Sequence, residues 1–163
     1  MNRSMRRKDR QMNHQDTLEL LQQAEYGVLS SVDAEGQPYG VPVNFVFDGK
    51  ETIYFHCAKE GHKLDNLKGN PKVCFTVVGK TQVMDWKFTT AYESVIAFGT
   101  AIEVETDEKY QALRVLALRF SPDYMDEFEK EIEKAMKATA VIKIKVEQFS
   151  GKARPFEPQQ PDM

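Results

Sequence analysis

Apolar and polar positions alternate with a period of two over much of this chain, and each alternating run ends in turn chemistry. Tyr26 to Val32 and Pro38 to Phe47 read as strands joined by the turn residues Asp33-Ala34-Glu35-Gly36. In the second run Val41, Val43, Phe45 and Phe47 share one face, and Pro42, Asn44 and Val46 share the other. Asp48-Gly49 is a hairpin signal. It leads into Thr52 to Ala58, where Ile53, Phe55 and Cys57 oppose Tyr54, His56 and Ala58. Lys72 to Val78 is a further strand, residues 79–91 read as a loop holding Trp86, and Tyr92 to Val104 is a long strand with Gly99 as a bulge or bend. Thr139 to Phe149 is the last strand, with Ala140, Ile142, Ile144 and Val146 alternating against Lys143, Lys145 and Glu147, and Gly151 to Pro155 continue it.

Helical spacing is confined to a few stretches. Asp16-Thr17-Leu18-Glu19 has the form of a capping box, with Leu18 and Leu21 on one face of a short helix. Leu64 and Leu67 mark a second helix closed by Gly69-Asn70-Pro71. Thr106 can cap a third, whose buried face carries Tyr110, Leu113, Leu116, Ala117 and Phe120 and which stops at Pro122. Residues 123–137 read as a charged, solvent-facing helix. Six antiparallel strands with short turns and few helices predict a mainly β protein, a small closed or partly closed barrel. Strands and helices do not alternate as βαβ units require, which argues against a doubly wound nucleotide fold.

Composition changes this picture little. The 163 residues suit one domain, and the 29% of charged residues is that of an ordinary globular chain. The formal net charge of −3 hides a basic N-terminus, where Arg3, Arg6, Arg7, Lys8 and Arg10 stand against Asp9 alone. We therefore divide the chain into a basic arm (1–13), a barrel domain (14–155) and a Pro/Gln-rich, flexible tail (156–163). The arm reads as solvated or locally packed, and nucleic acid is not expected as a partner because basic and aromatic residues are not interleaved on the strands. Cys57 and Cys74 lie in apolar strand patterns, which predicts reduced, buried thiols in a cytoplasmic protein. No apolar run is long enough to suggest a membrane span, and no apolar segment of a secretory signal follows the basic N-terminus.

The chemistry concentrates where the strand 52–58 passes into the helix after it. Lys59, His62 and Lys63 surround a helix N-terminus opened by Gly61. Free amides, a glycine and cations suit a phosphate. The same residues also fit a plain strand–helix connection with surface charges. A metal at His56, Cys57 and His62 is not expected, because adjacent strand residues point to opposite faces and no ligand spacing supports it. Ser30 and Ser94 lack the surroundings of a nucleophile elbow.

Three stretches carry a family resemblance: Gly40-Val41-Pro42-Val43-Asn44-Phe45, the run Ile53 to Asp65 with His56-Cys57-Ala58-Lys59-Glu60-Gly61-His62-Lys63 at its centre, and Asn70-Pro71-Lys72-Val73-Cys74-Phe75. Together they resemble the pyridoxamine-5′-phosphate-oxidase-like flavoproteins, and within them the 5-nitroimidazole-resistance (Nim) branch. Met5 to Arg10, Tyr92 to Gly99 and Phe149-Ser150-Gly151-Lys152 fit the same branch, so the resemblance covers residues 5–155.

The resemblance implies a six-stranded split barrel that forms a homodimer and holds FMN between its subunits. It places Val43 and Asn44 along the isoalloxazine and Phe55, His56, Cys57 and Ala58 along the flavin edge and ribityl chain. It gives the phosphate to Gly61, His62 and Lys63, and brings Tyr92 and Ser94 from the partner subunit. His56 is the candidate redox-adjacent, catalytic group. His62 stands where relatives often carry arginine, and the resemblance does not extend through the C-terminal substrate segment of true pyridoxamine-phosphate oxidases. The implied activity is an FMN-dependent oxidoreductase acting on small planar or nitro-aromatic acceptors. A non-catalytic flavin module, or a barrel for haem or a deazaflavin, are the alternatives.

Overall fold

The structure is a computed structural model, described here for residues 4–158. Its strands are β1 (Tyr26–Val32), β2 (Pro38–Asn44), β3 (Val46–Phe47), β4 (Thr52–Ala58), β5 (Lys72–Met84), β6 (Thr89–Val104) and β7 (Thr139–Arg154). The helices are α1 (His14–Gln23), α2 (His62–Gly69), α3 (Thr106–Phe120) and α4 (Met125–Ala138). All seven strands form one antiparallel sheet in the order β2-β1-β5-β6-β7-β4-β3.

The sheet thus has seven strands where the alternation predicts six. The run Pro38–Phe47 is cut at Phe45: the residues before it pair with β1, and Val46 and Phe47 pair with Tyr54 and Ile53 of β4. Phe45 and Val46 are both buried, a break in the period of two that marks the crossing from one edge of the sheet to the other. The connection rolls the sheet into a barrel. Leu29, Phe45, Ile53, Phe55, Phe75 and Ile142 fill it, and Phe45 meets Phe75 edge-on with ring centroids 4.9 Å apart.

The expected loop at 79–91 is instead mostly strand. β5 runs on to Met84 and pairs with β6 as far as Thr89, but its register slips between Val78 and Thr81. That bulge reverses which face each residue takes, so the alternation loses phase although Met84 and Ala91 are fully buried. The irregularity expected at Gly99 is present. The β6–β7 register shifts there, and a Cβ at Gly99 would collide with the Lys145 carbonyl.

The helices differ in detail from the spacing. Helix α1 is capped by Asn13, whose side chain accepts the Asp16 amide at 2.8 Å, rather than by Asp16. Thr106 makes no capping bond in α3, and Phe120 is exposed while Ala112 is buried beside Leu113 and Leu116. Helix α4 is not wholly solvent-facing. Ile132, Phe128 and Met136 pack with Leu113, Val104 and Val141 in a second core outside the barrel. Both thiols are free and half-buried. Cys57 packs against the barrel core, whereas Cys74 alternates with inward-facing Val73 and Phe75. Of the terminal segments, residues 1–3 of the basic arm and 159–163 of the tail lie outside the described residues.

Candidate functional site

β4 is zipped along its full length on one side only. Its whole length, Thr52 to Ala58, pairs with β7, but β3 pairs with it only at Ile53 and Tyr54. Extending the β3 register would set Phe45 opposite Phe55 and Asn44 opposite His56. The chain leaves instead to pair with β1, so β2 has a ladder partner on one side only. A seam therefore opens between β2 and the end of β4, where main-chain donors and acceptors have no sheet partner.

The far end of the seam is closed by α2. The Tyr39 ring of β2 lies tilted against His62 at the first turn of α2, with ring centroids 4.1 Å apart. Leu64 and Leu67 hold the helix in the barrel core, and Asn66 Nδ2 donates to the Ser31 hydroxyl at 3.0 Å. Gly61 adopts φ +138° as the helix N-cap and offers no side chain to it, and a Cβ at that position would meet nothing within 4 Å. The first-turn amides of His62 and Lys63 have no intrahelical acceptor. Glu60 and Asp65 balance Lys59 and Lys63 in formal charge, so attraction for an anion here rests on directed donors.

The structure brings nine of the eleven sequence-derived site residues to this seam. Val43 packs toward the core beside Asn44, whose Nδ2 donates to the Glu25 carbonyl at 2.9 Å and leaves Oδ1 as its outward acceptor. Phe55 is fully buried, so it can offer a ligand only its main chain. His56 and Ala58 face outward and are exposed. Desolvation by the surrounding protein holds the His56 imidazole below its ordinary pKa, which favours its neutral form. Burial pushes the Cys57 thiol up, while the Lys63 ammonium pulls it the other way. Gly61, His62 and Lys63 complete the set.

Tyr92 and Ser94 lie elsewhere in the chain, on β6 beside β7. The Lys152 ammonium sits 5.8 Å from the Tyr92 ring centroid, and the Ser94 hydroxyl donates to the Lys152 carbonyl at 3.4 Å. Tyr39 is the seam residue that sequence spacing misses. Its contact joins a strand to a helix that follows it by more than twenty residues, and no local pattern encodes such a pairing.

Residues 13–153 match the family model described as pyridoxamine 5′-phosphate oxidase. The chain belongs to this family. Its seven-stranded antiparallel sheet is the split-barrel fold of that family's structures. A structure ascribed to 5-nitroimidazole antibiotic resistance in Bacteroides thetaiotaomicron is 27% identical, with 88% of this chain and 86% of that one aligned at a TM-score of 0.72. A candidate pyridoxamine 5′-phosphate oxidase from Listeria innocua is also 27% identical, with 82% and 93% aligned at a TM-score of 0.60. An FAD- and haem-binding protein from Mycobacterium smegmatis shares the fold at 20% identity, with 93% and 77% aligned at a TM-score of 0.79. No curated protein matches significantly. Among the described residues, no helix is long and apolar enough to cross a membrane, and no group of three or more His, Cys, Asp or Glu side chains could hold a metal ion.

Proposed function

We propose that this protein is a cytoplasmic, homodimeric FMN-dependent oxidoreductase that reduces small planar or nitro-aromatic compounds. The observation that carries the reading is the one-sided pairing of β4 where it runs into the Gly61–Lys63 turn. A flavin mononucleotide needs hydrogen bonds along a flat ring system, a path for an extended chain and donors for a terminal phosphate. The seam offers these in that order. Tyr39 to Asn44 spans about 17 Å at a strand rise of roughly 3.4 Å per residue, long enough for an extended mononucleotide.

In this reading Asn44 Oδ1 and the main chain of Val43 meet the ring system. The unpaired edge of Phe55 to Ala58 follows the ribityl chain, and the His62 and Lys63 amides with the Lys63 ammonium take the phosphate. Tyr39 keeps His62 from swinging into that space. Tyr92 and Ser94 reach the ring from the second copy of the chain. When bound, the flavin supplies electron transfer to a small acceptor. The chain would contribute position and polarisation: neutral His56 carries one ring N–H, which would donate a hydrogen bond to an acceptor oxygen at the exposed face.

The reading is tested by the visible spectrum of the freshly purified protein, followed by FMN titration of any colourless fraction. A flavin spectrum or tight uptake is expected, with His56→Ala retaining FMN while nitro-aromatic reduction slows. Colourless protein that ignores FMN would overturn the cofactor assignment, and unchanged turnover in His56→Ala would overturn the hydrogen-bonding role of His56.

A further inference from the structure

Helix α1 ends without a cation of its own. Its last turn carries no basic residue, and at Ala24 the chain leaves the helix in an extended conformation. The final carbonyls of a helix lack intrahelical partners and carry its negative dipole end. Here the cation comes from α3. Arg119 Nη2 donates to the Gln23 and Ala24 carbonyls, each at 3.0 Å. Arg119 also stands in the last turn of α3, with its guanidinium 5.6 Å from the Phe120 ring centroid. Two helix C-termini thus share one guanidinium, and among the described residues it forms no ion pair that would draw it away.

The stretch so held leads straight to the seam. Leu20 and Leu21 anchor α1 in the barrel core, and β1 begins at Tyr26, opposite Asn44 of β2. Between them lies Glu25, whose carbonyl accepts Asn44 Nδ2 at 2.9 Å. A carbonyl accepts and cannot donate, so this bond decides which end of the Asn44 amide faces out. Nδ2 is turned back to the chain, and Oδ1 is presented to the seam. That orientation is only as firm as the Glu25 carbonyl, and the two residues before Glu25 are those that Arg119 ties down.

We propose that Arg119 is a positioning residue for ligand recognition at the seam: by holding the Gln23 and Ala24 carbonyls it sets the Glu25 carbonyl, which presents Asn44 Oδ1 as an acceptor. This rests on the flavin reading of the seam and adds a specificity to it. An oxidised isoalloxazine carries a single ring N–H, at N3, so a group that can only accept selects that edge of the ring. A freely turning amide would offer N–H or oxygen alike and would lose the selection. Arg119 acts only through the chain it holds.

Two measurements on the full chain test this. In the ligand-free protein, proton exchange at the Asn44 side-chain amide, followed by NMR, should be at least threefold faster in Arg119→Ala than in the parent. With flavin added, the parent should prefer FMN to N3-methyl-FMN by about fivefold or more, the worth of one hydrogen bond, and Arg119→Ala should lower that preference at least threefold. General weakening of the fold would not move the ratio, because both flavins need the same fold. Arg119→Lys should bring both readouts back to within about twofold of the parent, since an ammonium can still donate to the two carbonyls. Arg114→Ala is the control: Arg114 lies on the same helix but faces Glu129 at 3.8 Å, and its loss should change neither readout. Unchanged Asn44 exchange in Arg119→Ala, an equal change in Arg114→Ala, or an unaltered flavin preference would each overturn the proposal. A parent that takes up no FMN would sink the flavin reading alone, and the exchange measurement would still decide the role of Arg119.

Discussion

The seam beside β4 and the ladder of β5, β6 and β7 are built from similar alternating sequence, yet their backbones meet opposite fates. β6 pairs with β5 from Thr89 to Thr100 and with β7 from Tyr92 to Val104, so most of its length is bonded on both sides. Beyond Tyr54, β4 is bonded on one side only. The ladder uses its main chain for stability, whereas the seam keeps part of its main chain for something else. The structure therefore tolerates change unequally, and the contrast can be broken at either end.

The largest effect is expected in the ladder. At Gly99 a side chain would meet the Lys145 carbonyl, a backbone atom that cannot rotate away. Gly99→Ala should destabilise by about 3 kcal/mol, the upper range for overpacking, read from urea unfolding. The control is Gly61→Ala, where a Cβ meets open space and only the positive φ is penalised. A loss of about 1–2 kcal/mol is expected there. Equal losses at the two positions would remove the contrast.

The next effect concerns ligand affinity. Lys63→Ala should weaken FMN about tenfold or more, as loss of a charge-assisted contact worth roughly 1.5–3 kcal/mol does, while riboflavin affinity hardly moves. Equal losses for both ligands would place Lys63 away from the phosphate. Hydrogen exchange sharpens the comparison further. Amides of Val95 to Ala97 should be protected with or without ligand, whereas those amides of Phe55 to Ala58 that point away from β7 into the seam should gain protection only when FMN is added.

How far the sequence anticipated each region follows from the same difference. Strands 26–32, 52–58 and 139–149 are legible because one face of each carries the apolar core positions, even though Thr52 and Val141 on the opposite faces are buried as well. The signal fails where the chain changes partner or phase. Phe45 sits in an alternating run that belongs to two edges of the sheet, and the bulge after Val78 turns a strand into an apparent loop. Likewise Asn13 caps α1 three residues ahead of Asp16, because either residue type satisfies the composition rule and only geometry chooses. At the site, the glycine and cations of the β4–α2 junction are contiguous and could be read directly. Tyr39 against His62, and Arg119 against the end of α1, are brought together only by the fold.

The smallest effect is expected where α3 is tied to the back of β4. Glu108 accepts the Tyr54 hydroxyl at 2.8 Å and the Lys143 ammonium at 2.7 Å. The Lys143 hydrogen bond, then that of Tyr54, holds the Glu108 carboxyl below its ordinary pKa. A carboxyl depressed in the folded state contributes stability above its unfolded pKa and loses it as pH falls through the folded value. Lys143 is raised by the same Glu108 bond, and its share persists until pH climbs through its raised value. The pair's contribution should therefore be flat across neutral pH and decline below about pH 4.5, near the usual glutamate range. Because Glu108 and Lys143 are 43% and 29% exposed, solvent screening keeps the total below about 1 kcal/mol. Glu108→Gln should lower stability at pH 7 by that amount or less and flatten the acid limb of the stability curve. It should leave FMN affinity unchanged, because Tyr54 lies on the zipped side of the point where the seam opens. An acid limb as steep as the parent's would show that the bond contributes nothing. A large fall in FMN affinity would show that the zipped and unzipped halves of β4 are not separable.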